Sequence, residues 1–177
     1  MTINANIREQ VRQRAHFACE FCGITETDAG GYLTIDHFQP KSKGGLEDLD
    51  NLIYCCIHCN QYKYDYWPSN PDDPQLWNPR QEQASLHFYE LDDGNLFPVT
   101  ETGSFTINRL RLNREPLKTY RQYKNKIDQQ HHLLSHYREL TKSLERLLNQ
   151  QSQLIDEQQR LLKKQGQLLE FLIRQGK

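Results

Sequence analysis

Two C-x-x-C pairs constrain this chain more than any other feature: Cys19-Glu-Phe-Cys22 and Cys56-Ile-His-Cys59, with 33 residues between them. Four thiolates close a tetrahedral shell around Zn2+ and leave no position for a substrate, so a zinc held this way is structural. The first pair runs into Gly23 and the second opens a helix, a pattern that fits a metal frame better than disulfides. The segment needs such a staple, because two short strands and one helix bury too little apolar area to fold unaided. Cys55 is left over. It reads as a core residue, with competition against Cys56 as the alternative.

The elements around this frame are short. Asn6 to Phe17 reads as a helix, with Ile7 and Val11 at i, i+4. Tyr32 to Phe38 is β-branched and aromatic and reads as a strand ended by Pro40. Lys41 to Asp50 is a polar loop containing Gly44-Gly45. Asn51 to Tyr54 is a second strand, and Cys56 to Tyr66 a helix stopped before Pro68. Four prolines make Trp67 to Pro79 a loop. Leu86 to Leu91 and Leu96 to Thr100 flank Asp92-Asp93-Gly94-Asn95 as a hairpin, with Pro98 marking an edge strand. Ser104 to Asn113 reads as a short helix.

Between the cysteine pairs runs Ile35-Asp36-His37-Phe38-Gln39-Pro40-Lys41-Ser42-Lys43-Gly44-Gly45. Asn51-Leu52 follows, then Cys56-Ile-His58-Cys59-Asn60-Gln-Tyr-Lys63. Over residues 8–66 this resembles the HNH endonuclease family, whose ββα-metal core has the pattern C-x-x-C, D-H-x-x-P, Gly-Gly, N-L and C-x-x-C-N-x-x-K. On its own terms, phosphodiester hydrolysis needs an activated water, a Lewis acid and a grip on the backbone. His37, at the end of its strand, is the general-base candidate, since an imidazole takes a proton from water near neutral pH. Strand alternation points Asp36 to the opposite face unless the backbone twists. The resemblance implies that Asp36 and Asn60 are ligands of a catalytic divalent metal, with Asn60 where other members have His. Such oxygen ligands suit Mg2+ or Mn2+. His58 is the alternative ligand. The resemblance also implies that Asn51 pins the inter-strand loop and orients His37. Lys63, three residues after Asn60, shares its helix face and is a phosphate-holding candidate.

Trp77-Asn78-Pro79-Arg80, His87-Phe88, Gly94 and Thr106 to Arg114 resemble, more loosely, the extension of a bacterial HNH subfamily common in cyanobacteria. His87 either approaches the active site or is a strand histidine. Arg80 and Arg109 contact phosphates or neutralise acidic neighbours. Further substrate-contact candidates are Lys41, Arg114, Lys118 and Arg121. The last three recur at helical spacing, as a phosphate-tracking stripe or the solvated flank of a helix.

Beyond Pro116 the pattern changes. Leu133, Leu140, Leu147, Leu154, Leu161 and Leu168 repeat every seven residues. Leu134, Thr141, Leu148, Ile155, Leu162 and Leu169 follow one residue later, and Tyr137, Leu144 and Leu172 extend the seam. This predicts a left-handed coiled coil over a helix from 114 to 176, about 95 Å long. Gln151, Gln158 and Gln165 fall at the a positions, which weakens a simple dimer and specifies register. The stripe is two residues wide, which suits a higher oligomer or another packed element. The small head cannot bury it, so a partner helix is implied.

Net charge is -1, which taken whole argues against a nucleic-acid binder. The average hides a split. Residues 1–113 hold nine Lys/Arg against sixteen Asp/Glu, a balance of -7, and residues 114–177 hold thirteen against seven, a balance of +6. The low apolar fraction, 36%, fits a small metal-held head on a solvent-washed helix. No run approaches 18 apolar residues and the N-terminus lacks a secretion pattern, so the expectation is a cytoplasmic chain without a membrane span.

The expected architecture is α+β. A zinc-stabilised HNH head spans 1–67, a β-hairpin and short-helix extension spans 68–113, and a long coiled-coil helix spans 114–177. The expected activity is metal-dependent hydrolysis of DNA by a homo-oligomer. The alternatives are a nuclease subunit of a defence or restriction assembly targeted by a partner, a non-catalytic zinc module that binds nucleic acid, and a scaffolding coiled coil with a zinc-stabilised head.

Overall fold

The structure is a computed structural model that describes residues 3–175. Its elements are α1 (Ala5–Arg14), α2 (Glu26–Ala29), β1 (Thr34–His37), β2 (Leu52–Cys55), α3 (Ile57–Lys63), β3 (Phe88–Glu90), β4 (Leu96–Pro98), α4 (Glu101–Arg109) and α5 (Glu115–Gln175). One compact unit runs to Asn125 and a second starts at Lys126.

In the first unit β1 and β2 pair antiparallel, Thr34 opposite Cys55 and His37 opposite Leu52. All four β2 residues are buried, with α1 packed on β2 and α3 on β1. The outer edge of β2 is occupied by side chains. Tyr54 N donates to Glu20 Oε2 at 2.6 Å, and Arg14 Nη2 donates to the Leu52 carbonyl at 2.5 Å. Arg80 Nη1 reaches the other Glu20 oxygen at 2.8 Å. The α1 helix stops at Arg14, short of the expected Phe17, because His16 and Phe17 take positive φ.

Residues 68–113 share the core of the first 67. Trp77 meets Phe21 edge-on at 6.4 Å and Phe88 at 5.2 Å between ring centroids. The β3–β4 hairpin forms as expected, with Asn113 along β4: it accepts from Leu96 N at 2.7 Å and donates to Leu96 O at 2.8 Å. The α4 helix begins three residues before the expected Ser104, because Thr100 caps it by accepting from Gly103 N at 3.0 Å. Gly94 makes the hairpin turn at φ +76, and a Cβ there would lie 2.5 Å from the Lys118 carbonyl of α5.

The helix begins where Pro116 suggested, but its first three turns belong to the head. Leu117 and Arg121 are buried there. The second unit is helical as far as Gln175, and its stripe from Leu133 to Leu169 is exposed. The side chain of Leu172 and residue 176, both in the expected seam and helix, lie outside the described residues. Among the described residues no helix is long and apolar enough to cross a membrane.

Candidate active site and zinc site

The knuckle after α1 supplies Cys19 and Cys22. Cys56 caps α3 and Cys59 lies in its first turn. The four Sγ atoms lie within 4.8 Å of one another. Cys22 Sγ and Cys56 Sγ are 3.8 Å apart. A tetrahedron with Zn–S bonds of about 2.3 Å has edges of about 3.8 Å, so the residues fit zinc. Cys55 stands apart on β2, where burial pushes its thiol well above the usual range. His58 is exposed between Cys56 and Cys59.

Asp36, His37, Pro40, Lys41, Asn60, Gln61, Tyr64 and Asp65 line an open cleft of about 520 Å3. Asp36 and His37 therefore line one cleft despite strand alternation. His37 is the last residue of β1, where the strand gives way to a loop, and Asp36 reaches toward α3. His37 titrates below the ordinary imidazole value of 6.5, first through burial and then through Lys41, against the opposing pull of Asp36 and Glu47. Its Nε2 is buried without a hydrogen-bond partner among the described residues, so protonation there would leave an unpaired N–H.

The loop behind His37 is locked by Asn51. The Asn51 Oδ1 accepts from Gln39 N at 2.8 Å, and its Nδ2 donates to the carbonyls of Gln39 at 3.1 Å and Leu46 at 2.8 Å. Gly45 is required at the same point, since a Cβ would fall 1.8 Å from the Gln39 carbonyl. Asn51 thus positions the loop that His37 enters, by contacts to backbone alone.

Lys63 differs from its expected role. It is 0% exposed, and Nζ donates to the His37 carbonyl at 2.8 Å. It lies 2.9 Å from Asp36 Oδ2, an ion pair off hydrogen-bond alignment. Lys63 therefore braces the Asp36–His37 dipeptide and presents no surface to a phosphate. Arg109 extends the brace, with Nη2 donating to the Lys63 carbonyl at 3.1 Å. Asp36 and Asn60 both line the cleft, and among the described residues neither the other Asp36 oxygen nor the Asn60 amide has a hydrogen-bond partner.

The remaining expected contacts fall elsewhere, apart from Lys41, which sits at the cleft and pairs with Glu47. His87 is buried with Nδ1 on Thr100 Oγ1 at 2.8 Å and Nε2 on Glu82 Oε2 at 3.0 Å, so neither ring nitrogen is free for substrate. Arg121 is 6% exposed, and its guanidinium donates to the carbonyls of Gly94 at 2.6 Å and Leu112 at 2.8 Å. Arg114 faces the cysteines, Nη2 lying 4.0 Å from Cys56 Sγ. Lys118 pairs with Glu115 at 2.8 Å. Arg121 and Arg114 are thus turned to the head's own carbonyls and cysteines, while Lys118 stays half-exposed beside Glu115. Gln61, Tyr64 and Asp65 line the cleft without having been singled out. Tyr64 is out of reach of helical spacing, since α3 ends at Lys63 and Tyr64 takes φ 54.

The sequence model of the HNH endonuclease family matches residues 19–65. That range contains both cysteine pairs and every residue that lines the cleft, so this part of the chain is similar to HNH endonuclease domains. No curated protein matches the chain.

Proposed function

We propose that the protein is a metal-dependent endonuclease acting on DNA. Asp36 and Asn60 would hold Mg2+ or Mn2+, the cation preferred by one carboxylate and one amide oxygen with water and phosphate completing the shell. Such a cation supplies charge stabilisation to the phosphoryl oxygens. His37, neutral at pH 7 because its pKa is lowered, takes the proton of the attacking water on a cleft-facing nitrogen. Lys63 fixes the backbone and carboxylate of the Asp36–His37 pair, and Asn51 holds the loop. Water adds to phosphorus as the P–O3′ bond breaks, and the departing O3′ takes a proton from solvent water, which leaves a 5′-phosphate and a 3′-hydroxyl. The observation that carries this reading is the convergence of His37, Asp36 and Asn60 on one cleft, the latter two with oxygens that have no hydrogen-bond partner among the described residues.

Plasmid cleavage with Mg2+ or Mn2+ tests it. Wild type is expected to nick or linearise, and His37→Ala to lose activity by about 100-fold or more. Equal cleavage by both proteins, or none by either with any divalent metal, defeats the catalytic assignment.

A second strand of the proposal concerns residues 126–175. Their exposed heptad stripe supports self-association as a coiled coil, which would bring two single-cut sites to one duplex. Docking of this helix on a targeting partner, as in a defence assembly, is the alternative use of the same face. Light scattering on the full chain and on residues 1–125 separates them: an equal oligomeric state for both defeats self-association.

A further inference from the structure

We propose that Arg114 is the counter-cation of the four-cysteine zinc site and that it sets how firmly the zinc is held. A zinc ion with four thiolates carries a net charge of about -2. Here that charge is enclosed, since Cys19 and Cys59 are buried, and enclosed charge is stable only when compensated nearby. Arg114 supplies the compensation. Its Nη2 lies 4.0 Å from Cys56 Sγ. Its Nη1 donates to the carbonyls of Leu110 and Arg111, each at 3.2 Å. The Tyr62 ring of α3 stands 5.5 Å from the guanidinium carbon. The group is therefore held in place from several directions.

The placement of Arg114 is reinforced one turn and more along α5. Tyr120 Oη donates to the Gly23 carbonyl at 3.2 Å, on the knuckle that carries Cys19 and Cys22. The start of α5 thus touches both halves of the zinc frame, at Cys56 and at Gly23. Arg121 pins the same turns to the hairpin and to the Leu112 carbonyl. A basic residue preceding a long basic helix reads from sequence as a nucleic-acid contact. Its geometry places the positive charge on the sulfurs instead.

The inference rests on the zinc reading of the cysteine cluster and not on the nuclease reading. The test uses the full-length protein. Zinc content of wild type is measured first, and then the rate and midpoint of zinc transfer to a chromophoric chelator. Arg114→Gln, which keeps a polar amide and removes the charge, is expected to give up zinc 10- to 100-fold more readily. Arg114→Lys is expected to fall between Gln and wild type, and it keeps the test open if Arg114→Gln folds poorly. Arg8→Gln, an exposed basic residue of α1, is expected to match wild type. Equal zinc retention by wild type, Arg114→Gln and Arg114→Lys overturns the proposal. Equal zinc retention with a flatter salt dependence of DNA binding overturns it in favour of a phosphate contact. A wild type that binds no zinc overturns the metal site itself, and the proposal with it.

Discussion

Lys63→Met separates a positioning lysine from a phosphate-binding one. Methionine keeps most of the volume and removes the charge. The lost interactions are the 2.8 Å bond to the His37 carbonyl and the 2.9 Å ion pair with Asp36. A hydrogen bond from a charged donor contributes about 1.5–3 kcal/mol. Breaking a fully buried ion pair costs about 3–5 kcal/mol. The Asp36 side chain retains 18% exposure and can regain water, which favours the lower end. The lower ends sum to about 4.5 kcal/mol, equivalent to about 15 °C in Tm for a unit of this size. Cleavage is expected to fall on the order of 100-fold, because both site residues beside Lys63 shift. DNA affinity at fixed salt is expected to stay within about a factor of two, since Lys63 has no surface to offer a phosphate. The assays are thermal melting of the zinc-loaded protein, filter binding and plasmid cleavage. An unchanged Tm with a large loss of DNA affinity would refute the reasoning.

Further expectations follow from the same geometry. The acid limb of kcat/KM is expected below 6.5, the ordinary value from which burial and Lys41 lower His37. Lys41→Met is expected to move that limb upward, and a downward move contradicts the stated causes. The stability tied to neutral His37 is present above pH 6.5 and is lost as pH falls through its lowered folded value, because the unfolded chain binds the proton more readily. Urea titrations of wild type and His37→Ala between pH 5 and 7 read this as a slope that the variant lacks. Arg121→Met is expected to cost about 2–4 kcal/mol in denaturant melts, with DNA affinity unchanged. Gly45→Ala is expected to disable cleavage while zinc content holds, because its Cβ displaces the Gln39 carbonyl that Asn51 grips. Chelation of zinc is expected to unfold the head, read by Trp77 fluorescence, and re-addition of zinc to restore it.

The zinc frame and the order β1, β2, α3 were legible because each depends on local spacing. Cysteine pairs, a β-branched run and a proline stop act within a few residues of themselves. The start of α5 at Glu115 was legible for the same reason, with Pro116 in the first turn. Orientation was not. The positions 114, 118 and 121 look alike whether their face meets water or protein, and the outcome turned on carbonyls of Gly94 and Leu112 that fold there from elsewhere. Lys63 was placed correctly on the face of Asn60, yet spacing does not say whether a long side chain reaches outward or inward. The three-residue error at α4 came from Thr100, a cap hidden after Pro98 and Val99. His87 was ambiguous from sequence because both its partners, Glu82 and Thr100, are ordinary surface residue types.

The two small ribbons have a consequence for how copies of this protein coexist. An open strand edge is a template onto which another chain can add. Here Glu20 and Arg14 occupy the free side of β2, Lys63 takes the outward carbonyl of His37 on β1, and Asn113 sits along β4. Side chains thus satisfy backbone groups that a neighbouring strand would otherwise claim. Two copies of this head meeting edge to edge would find β2 and β4 already closed to strand addition.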